Sequence, residues 1–178
     1  MEGENQLLRT PLHALHVELG ARMVPFAGHE MPLQYTGGIV AEHRHTRAAA
    51  SLFDASHMGQ IALTGPARAE ALERLVPADI AGLSAGRQRY ALLTTPEGGI
   101  LDDLMVANAG ERLMVMANAA NKARDLALLE TALGAGAAAD MLADRALLAL
   151  QGPATEAALR TLGTDIADLS FMDVREMT

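Results

Sequence analysis

Two adjacent aspartates, Asp102 and Asp103, interrupt the otherwise apolar run ILDDLMV at 100–106. In a strand, alternation sends them to opposite faces, Asp102 with Leu104 and Val106, Asp103 with Leu101 and Met105. At least one carboxylate then lies against an apolar surface. There it must find donors or lose heavily from dehydration, and such positions often hold ionisable groups for function. The plainer arrangement is a hairpin base at which both stay hydrated. A second constellation, FDASHMGQ at 53–60, places Asp54, Ser56 and His57 together just before a strand. The commoner cause of such a cluster is a turn in which Asp54 or Ser56 bonds its own backbone.

Other chemistries find little support. His43 and His45 lie two apart in an expected helix and point about 200 degrees apart, so they cannot chelate together. His13 and His16 share a face, but Glu18 points elsewhere, and no His-Glu-x-x-His arrangement exists; no metal site is expected. Gly98 and Gly99 form a turn with no lysine after it, and no Gly-x-Gly-x-x-Gly opens a helix, which disfavours a nucleotide enzyme. Gly-x-Ser-x-Gly is absent as well. The 178 residues contain no cysteine, which removes disulfides, thiolate nucleophiles and cysteine-ligated metals together. A formal charge of −8 argues against nucleic acid as a partner. No apolar run approaches the ~20 residues of a membrane span. The start, MEGENQLLRTP, is acidic where a signal peptide is basic. The cytoplasm is the expected compartment.

The elements that must position these groups follow from periodicity. Leu12, Leu15 and Leu19 fall on one face of a short helix that Gly20 is placed to end. The stretch MVPFAGHEMPLQYTGG, broken by Pro25, Gly28 and Pro32, fits neither period and is expected to be an ordered loop. Residues 39–50 predict a helix. Beyond Phe53 the texture changes: a strand at 58–63, a helix opened by Gly65-Pro66 and ended by Pro77, then strands at 90–95, 100–108 and 112–117 that make a meander. A helix over 118–133 ends at Gly134, and the alanine-rich stretch after it has room for another strand. LTGPARAEALERL at 63–75 and LQGPATEAALRTL at 150–162 match at seven of thirteen positions, offset by 87. Both read strand, Gly-Pro turn, helix, from two related units or from convergence on one common turn.

With these residues in view the chain resembles the aminomethyltransferases of the glycine cleavage system, the T-protein family. TPLHALHVELGARMVPFAG, LFDASHMGQ, GGILDDLMV, NAANKARDL and ALQGP carry the likeness, in the family's order and spacing. The resemblance implies an α+β fold of antiparallel sheets with flanking helices, and a chain truncated to the N-terminal half. It assigns 1–53 to the first part of a discontinuous domain, 54–142 to an inserted second domain, and 143–178 to an incomplete continuation of the first. The chain stops at VREMT, before the glycine-rich segment and the later Glu and Arg positions that help hold the folate in the family. Pro25 and His29 depart from the Asp and Trp usual around the FAG motif.

The implied reaction moves the aminomethyl carbon from the dihydrolipoyl arm of a lipoylated H-protein to tetrahydrofolate, giving 5,10-methylenetetrahydrofolate and ammonia, with no metal. Asp103 matches the catalytic carboxylate and is expected to turn inward toward a reduced pteridine. Met58, Tyr90 and Asn118 match folate-pocket positions, the first two packing on the pterin and Asn118 bonding its polar edge. Met58, Tyr90 and Asn118 also suit ordinary strand-core or helix-cap roles on pattern alone. Another tetrahydrofolate-dependent one-carbon enzyme and a non-catalytic folate-binding module are the alternatives of the same fold.

Overall fold

A computed structural model describes residues 6–164 and 166–177; the acidic start at 1–5 lies outside them. Two compact units form, Met1–His57 with Asp144–Asp168, and Met58–Ala143 with Leu169–Thr178. Contacts thus group Leu169–Thr178 with the second unit, whereas the resemblance runs 143–178 on as part of the flanks.

In the first unit, α1 (His13–Glu18) precedes a hairpin of β1 (Arg22–Phe26) and β2 (His29–Gln34), then α2 (Ile39–Ala48) and β3 (Ser51–Asp54). The hairpin replaces the loop expected at 23–38. Its prolines mislead because Pro25, opposite Glu30, and Pro32, two residues on from it, share the outward position of Glu30 N, which donates to Leu8 O at 2.8 Å, so a missing N–H there costs no bond of the β1–β2 ladder. Ala27 and Gly28 both take positive φ at its tip, the backbone of a two-residue hairpin turn.

The second unit opens with β4 (Gly59–Thr64) and α3 (Arg68–Glu73). The meander follows as β5 (Arg87–Thr94), β6 (Ile100–Asn108) and β7 (Leu113–Ala117), then α4 (Lys122–Leu133) and β8 (Ala138–Met141). The five strands form one sheet in the order β5-β6-β7-β4-β8. Ile61, Leu63, Leu93, Leu104, Val106 and Val115 on its inner face are fully or almost fully buried with Leu72 of α3 and Leu129 of α4. Each such side chain contributes roughly 1.5–3 kcal/mol of burial. The free edge of β5 is covered by the chain end: Gln88 N donates to Met172 O (3.0 Å) and Val174 N to Gly86 O (2.8 Å), with Arg87 ion-paired to Asp173.

The chain then returns to the first unit with β9 (Leu148–Gln151), paired antiparallel to β3, and α5 (Thr155–Thr161). Every ladder between these strands is antiparallel, so the α+β class holds.

The internal match at 63–75 and 150–162 has a common physical cause. Gly65 and Gly152 both take positive φ, and a Cβ on them would stand 2.5 Å from Gly136 O and 2.2 Å from Ala49 O. Two residues later, Ala67 N and Ala154 N point to those same carbonyls, at 3.5 and 3.0 Å. Each glycine lets a strand pass hard against a neighbouring carbonyl before turning into a helix, a contact no side chain permits.

Candidate active site

Strand alternation separates the two aspartates as their pattern predicts. Asp102 turns inward beside Leu104 and is buried, whereas Asp103 faces outward and is exposed. The inward orientation expected of Asp103 is therefore taken by its neighbour. Asp103 instead borders an open depression of about 330 Å³ formed with Pro77, Ala78, Tyr90, Ala91 and Leu92. The register explains the grouping: Leu92 lies directly opposite Asp103, and Tyr90, opposite Met105, is its diagonal neighbour on the same face.

The same register runs on as Met105 opposite Met116 and Met116 opposite Gln60. Tyr90, Met105, Met116 and Gln60 thus form one row across four strands. It is a largely apolar platform with a carboxylate at its side, and Tyr90 is 68% exposed on it.

Asn118, just past the end of β7, joins the two aspartates. Its Nδ2 donates to Asp102 Oδ1 at 2.8 Å and to Asp103 Oδ1 at 3.0 Å, and lies 3.2 Å from Asp103 O. Its backbone N–H points to Asp102 Oδ2 at 3.3 Å. Two carboxylates on one side oblige the amide to present NH₂ rather than oxygen. Asn121 Nδ2 donates to Asp102 Oδ1 at 3.0 Å. Burial alone would raise the Asp102 carboxyl, but hydrogen bonds from Asn118, Asp125 and Asn121 outweigh it and hold it below the usual carboxylate range.

Asp125, one turn into α4, is fully buried. Burial first, then the bond and charge of Asp102, push its carboxyl up to about 6, against the pull of Arg124. Sequence reading passed over both Asn121 and Asp125. The available signal was Asp125 itself, a charge at i, i+4, i+8 spacing with Leu129 and Leu133, the buried stripe of α4.

Met58 is half-buried and stands one step beyond the Gly59–Ala117 pair, as Asn118 does on the other strand. The geometry thus joins Asp103, Tyr90 and Asn118. It sets Met58 at the same sheet end as Asn118 but outside the depression.

In FDASHMGQ, Asp54 does close a local turn, accepting from Ser56 N at 2.8 Å. It also accepts from Thr10 Oγ1 at 2.8 Å and pairs with His16 Nε2 at 2.9 Å, while His16 Nδ1 meets the Tyr35 hydroxyl at 2.7 Å. A wider cleft of about 770 Å³ in the first unit is bordered by Ile39, Glu42 and Phe53. Glu42 Oε1 accepts there from the Tyr35 backbone N–H at 2.6 Å. Among the described residues no group of three or more His, Cys, Asp or Glu is placed to hold a metal ion. No helix among them is long and apolar enough to cross a membrane.

An antiparallel α+β chain presenting a carboxylate, fixed by a shared asparagine, beside an apolar sheet face is the class this fold and site define. The chain belongs to the GCVT N-terminal domain family, matched over residues 12–178. The mitochondrial aminomethyltransferase of Dictyostelium discoideum is 40% identical over 98% of this chain and 46% of its own length. The aminomethyltransferase of Rubrobacter xylanophilus is 46% identical over 86% of this chain and 42% of its own. The crystal structure of glycine cleavage system aminomethyltransferase T from Bartonella henselae superposes with a TM-score of 0.90 at 44% identity, covering 94% of this chain and 47% of that one. The chain spans about half the length of the relatives it matches.

Proposed function

We propose that this chain supplies the catalytic carboxylate and part of the folate surface of an aminomethyltransferase. That enzyme passes the aminomethyl carbon from the dihydrolipoyl arm of H-protein to tetrahydrofolate. In the balanced reaction the carbon gains bonds to N5 and N10 of tetrahydrofolate, its bonds to sulfur and to nitrogen break, ammonia leaves, and the lipoyl sulfur is released as a thiol. The cytoplasm is the compartment this reading assumes.

The observation that carries this reading is the Asp103 carboxylate, pinned by Asn118 at the side of the Tyr90–Met105–Met116 row, in a chain of this family. A flat ring system would gain its burial on that row, with Tyr90 the most exposed apolar contact. Asp103 has one oxygen engaged by Asn118 and the carboxylate is open to the depression, so it can face a folate amine. There it balances the positive charge that grows as N5 attacks, and accepts the proton released when the carbon–nitrogen bond closes. Asn118 fixes the direction of that carboxylate before substrate arrives, which lowers the reorganisation left for the reaction. Met58, at the same sheet end, would close the pterin from the side.

The test compares the full-length protein that contains this chain, active in transfer, with its Asp103→Asn variant, both assayed with aminomethyl-loaded H-protein and tetrahydrofolate. Because charge balance acts mainly in the transition state, the variant should bind tetrahydrofolate within about threefold of the parent and lose roughly 100-fold or more in transfer. Equal turnover of the two proteins would overturn the assignment of Asp103 and favour a folate-binding module.

A further inference from the structure

Alternation puts the Asp102 carboxylate on the same inner face as the apolar Leu104 and Val106, and the proposed reaction gives it no part. It is 6% exposed. Three N–H groups converge on it: Asn118 Nδ2 at 2.8 Å and Asn121 Nδ2 at 3.0 Å on Oδ1, and the Asn118 backbone N–H at 3.3 Å on Oδ2. All three come from the short connection between β7 and α4, where Asn118 O in turn accepts from Asn121 N at 3.0 Å and from Lys122 N at 2.9 Å. A buried carboxylate is tolerated when donors replace its lost water, and one stretch of four residues supplies them.

The place of that connection brings Asp103 into the same network. The β6–β7 ladder ends at Met105 opposite Met116, and continuing its register sets Asn118 level with Asp103. Side-chain bonds carry on where the ladder stops: the same Nδ2 that meets Asp102 stands 3.0 Å from Asp103 Oδ1 and 3.2 Å from Asp103 O. Its two hydrogens are divided between the inner and the outer aspartate. The two bonds differ in what they fix. Asp103 is exposed, and water can take over its bond to the amide. Asp102 is buried, so turning the amide over would set Asn118 Oδ1 against an anion shielded from solvent. The buried aspartate therefore decides which way the amide faces, and the exposed one receives the result.

We infer that Asp102 is a positioning residue for Asp103: holding the Asn118 and Asn121 amides from the inner face of the sheet, it fixes the Asn118 NH₂ group toward the Asp103 carboxylate before substrate arrives. The inference rests on the role proposed for Asp103, although every bond it uses lies within the second unit. It also gives Asn121 a part. That residue does not border the depression, and its amide is the second strut on Asp102 Oδ1.

The experiment follows Asp103 by NMR in the full chain labelled with carboxyl-¹³C aspartate and side-chain-¹⁵N asparagine, and follows transfer in the full-length protein that contains it. In the parent chain both Asn118 Nδ2 protons should exchange with water at least roughly tenfold more slowly than those of free asparagine, because both are bonded. Exchange as fast as in free asparagine overturns the inference without any variant, so misfolding of a mutant cannot rescue it. Asp102→Asn keeps the size of the side chain but leaves one acceptor oxygen for three N–H groups. It should displace the Asp103 resonance and lower kcat roughly 10-fold, with the KM for tetrahydrofolate changed less than about threefold. Made on top of Asn118→Ala, the same substitution should displace that resonance no more than about half as far, because the route is already cut. Equal displacement in the two backgrounds, or none in either, overturns the inference. Asp103→Asn in the same transfer assay separates the two readings. Undiminished transfer there sinks the role proposed for Asp103 and leaves the positioning standing. Lost transfer there, with kcat unchanged in Asp102→Asn, sinks the positioning and leaves the role.

Discussion

The two units of the molecule are held together by different kinds of contact. In the second unit the sheet and two helices share a dry core in which Ile61, Leu63, Leu93, Leu104 and Val115 are at most 1% exposed. In the first unit the buried described residues are Thr10, His16, His29 and Met31, three of them polar. Its order centres on Asp54, which gathers Thr10, His16 and Ser56, while Leu15, Val17, Ile39, Val40 and Leu52 remain exposed. One unit is specified by non-directional burial and the other by directional polar contacts. The candidate site uses both: Asp102 is a polar anchor set into the apolar core of the second unit.

The sharpest way to break this contrast is to damage each unit at its own kind of contact. Leu104→Ala should cost the second unit about 3 kcal/mol in chemical denaturation, the usual toll of a large core truncation. Asp54→Ala should cost the first unit roughly 2–4 kcal/mol, because three donors lose their acceptor at once. Hydrogen exchange read separately over β3–β9 and over β5–β6 would locate each loss. Equal loss of protection in both units from either change would dissolve the distinction.

A gentler probe is pH, to which Asp54 in the first unit and Asp125 in the second should respond with opposite sign. Burial raises the Asp54 carboxyl, but bonds from Ser56, His16 and Thr10 prevail and hold it below its ordinary value. Its contribution is therefore complete above about pH 4 and fades as acid titrates it through the lower folded value. Asp125 is raised to about 6, so the folded state binds its proton more tightly than the unfolded chain does. Its contribution is present in acid and is lost as pH rises from about 4 through 6, on the order of 2–3 kcal/mol. Asp125→Asn should flatten that slope in the second unit and match or exceed the parent's stability at pH 7.5. A slope that survives the substitution would remove Asp125 as its source. The smallest expected effect is on the open surface of the first unit: Leu52, 61% exposed, should lose less than about 0.5 kcal/mol on mutation to Ala.

The same contrast governs what could be read from residues alone. The meander, α4 and the alternation of Asp102 and Asp103 follow from hydrophobic periodicity, and the structure has them at nearly the expected positions. The β1–β2 hairpin and β3 did not follow. The hairpin carries two prolines that a single ladder tolerates, and β3 is four residues long with neither of its two central side chains buried, so alternation leaves no trace. At the site, a carboxylate pair in an apolar run was visible, and so was their separation onto two faces. Which of the two would be buried depended on where α4 packs, which is a tertiary fact. Asp125 belonged to a helical stripe that counts leucines, and its charge hid its burial.

In the proposed reaction Asp103 meets a folate on the open sheet face. The most direct measurement adds tetrahydrofolate to the ¹³C-aspartate-labelled chain at fixed pH and follows Asp103 together with the Tyr90 ring. Saturable, matching shifts at both, with Asp140 on the distant strand β8 unmoved, is the result expected. Saturable binding that leaves Asp103 and Tyr90 where they were would contradict it.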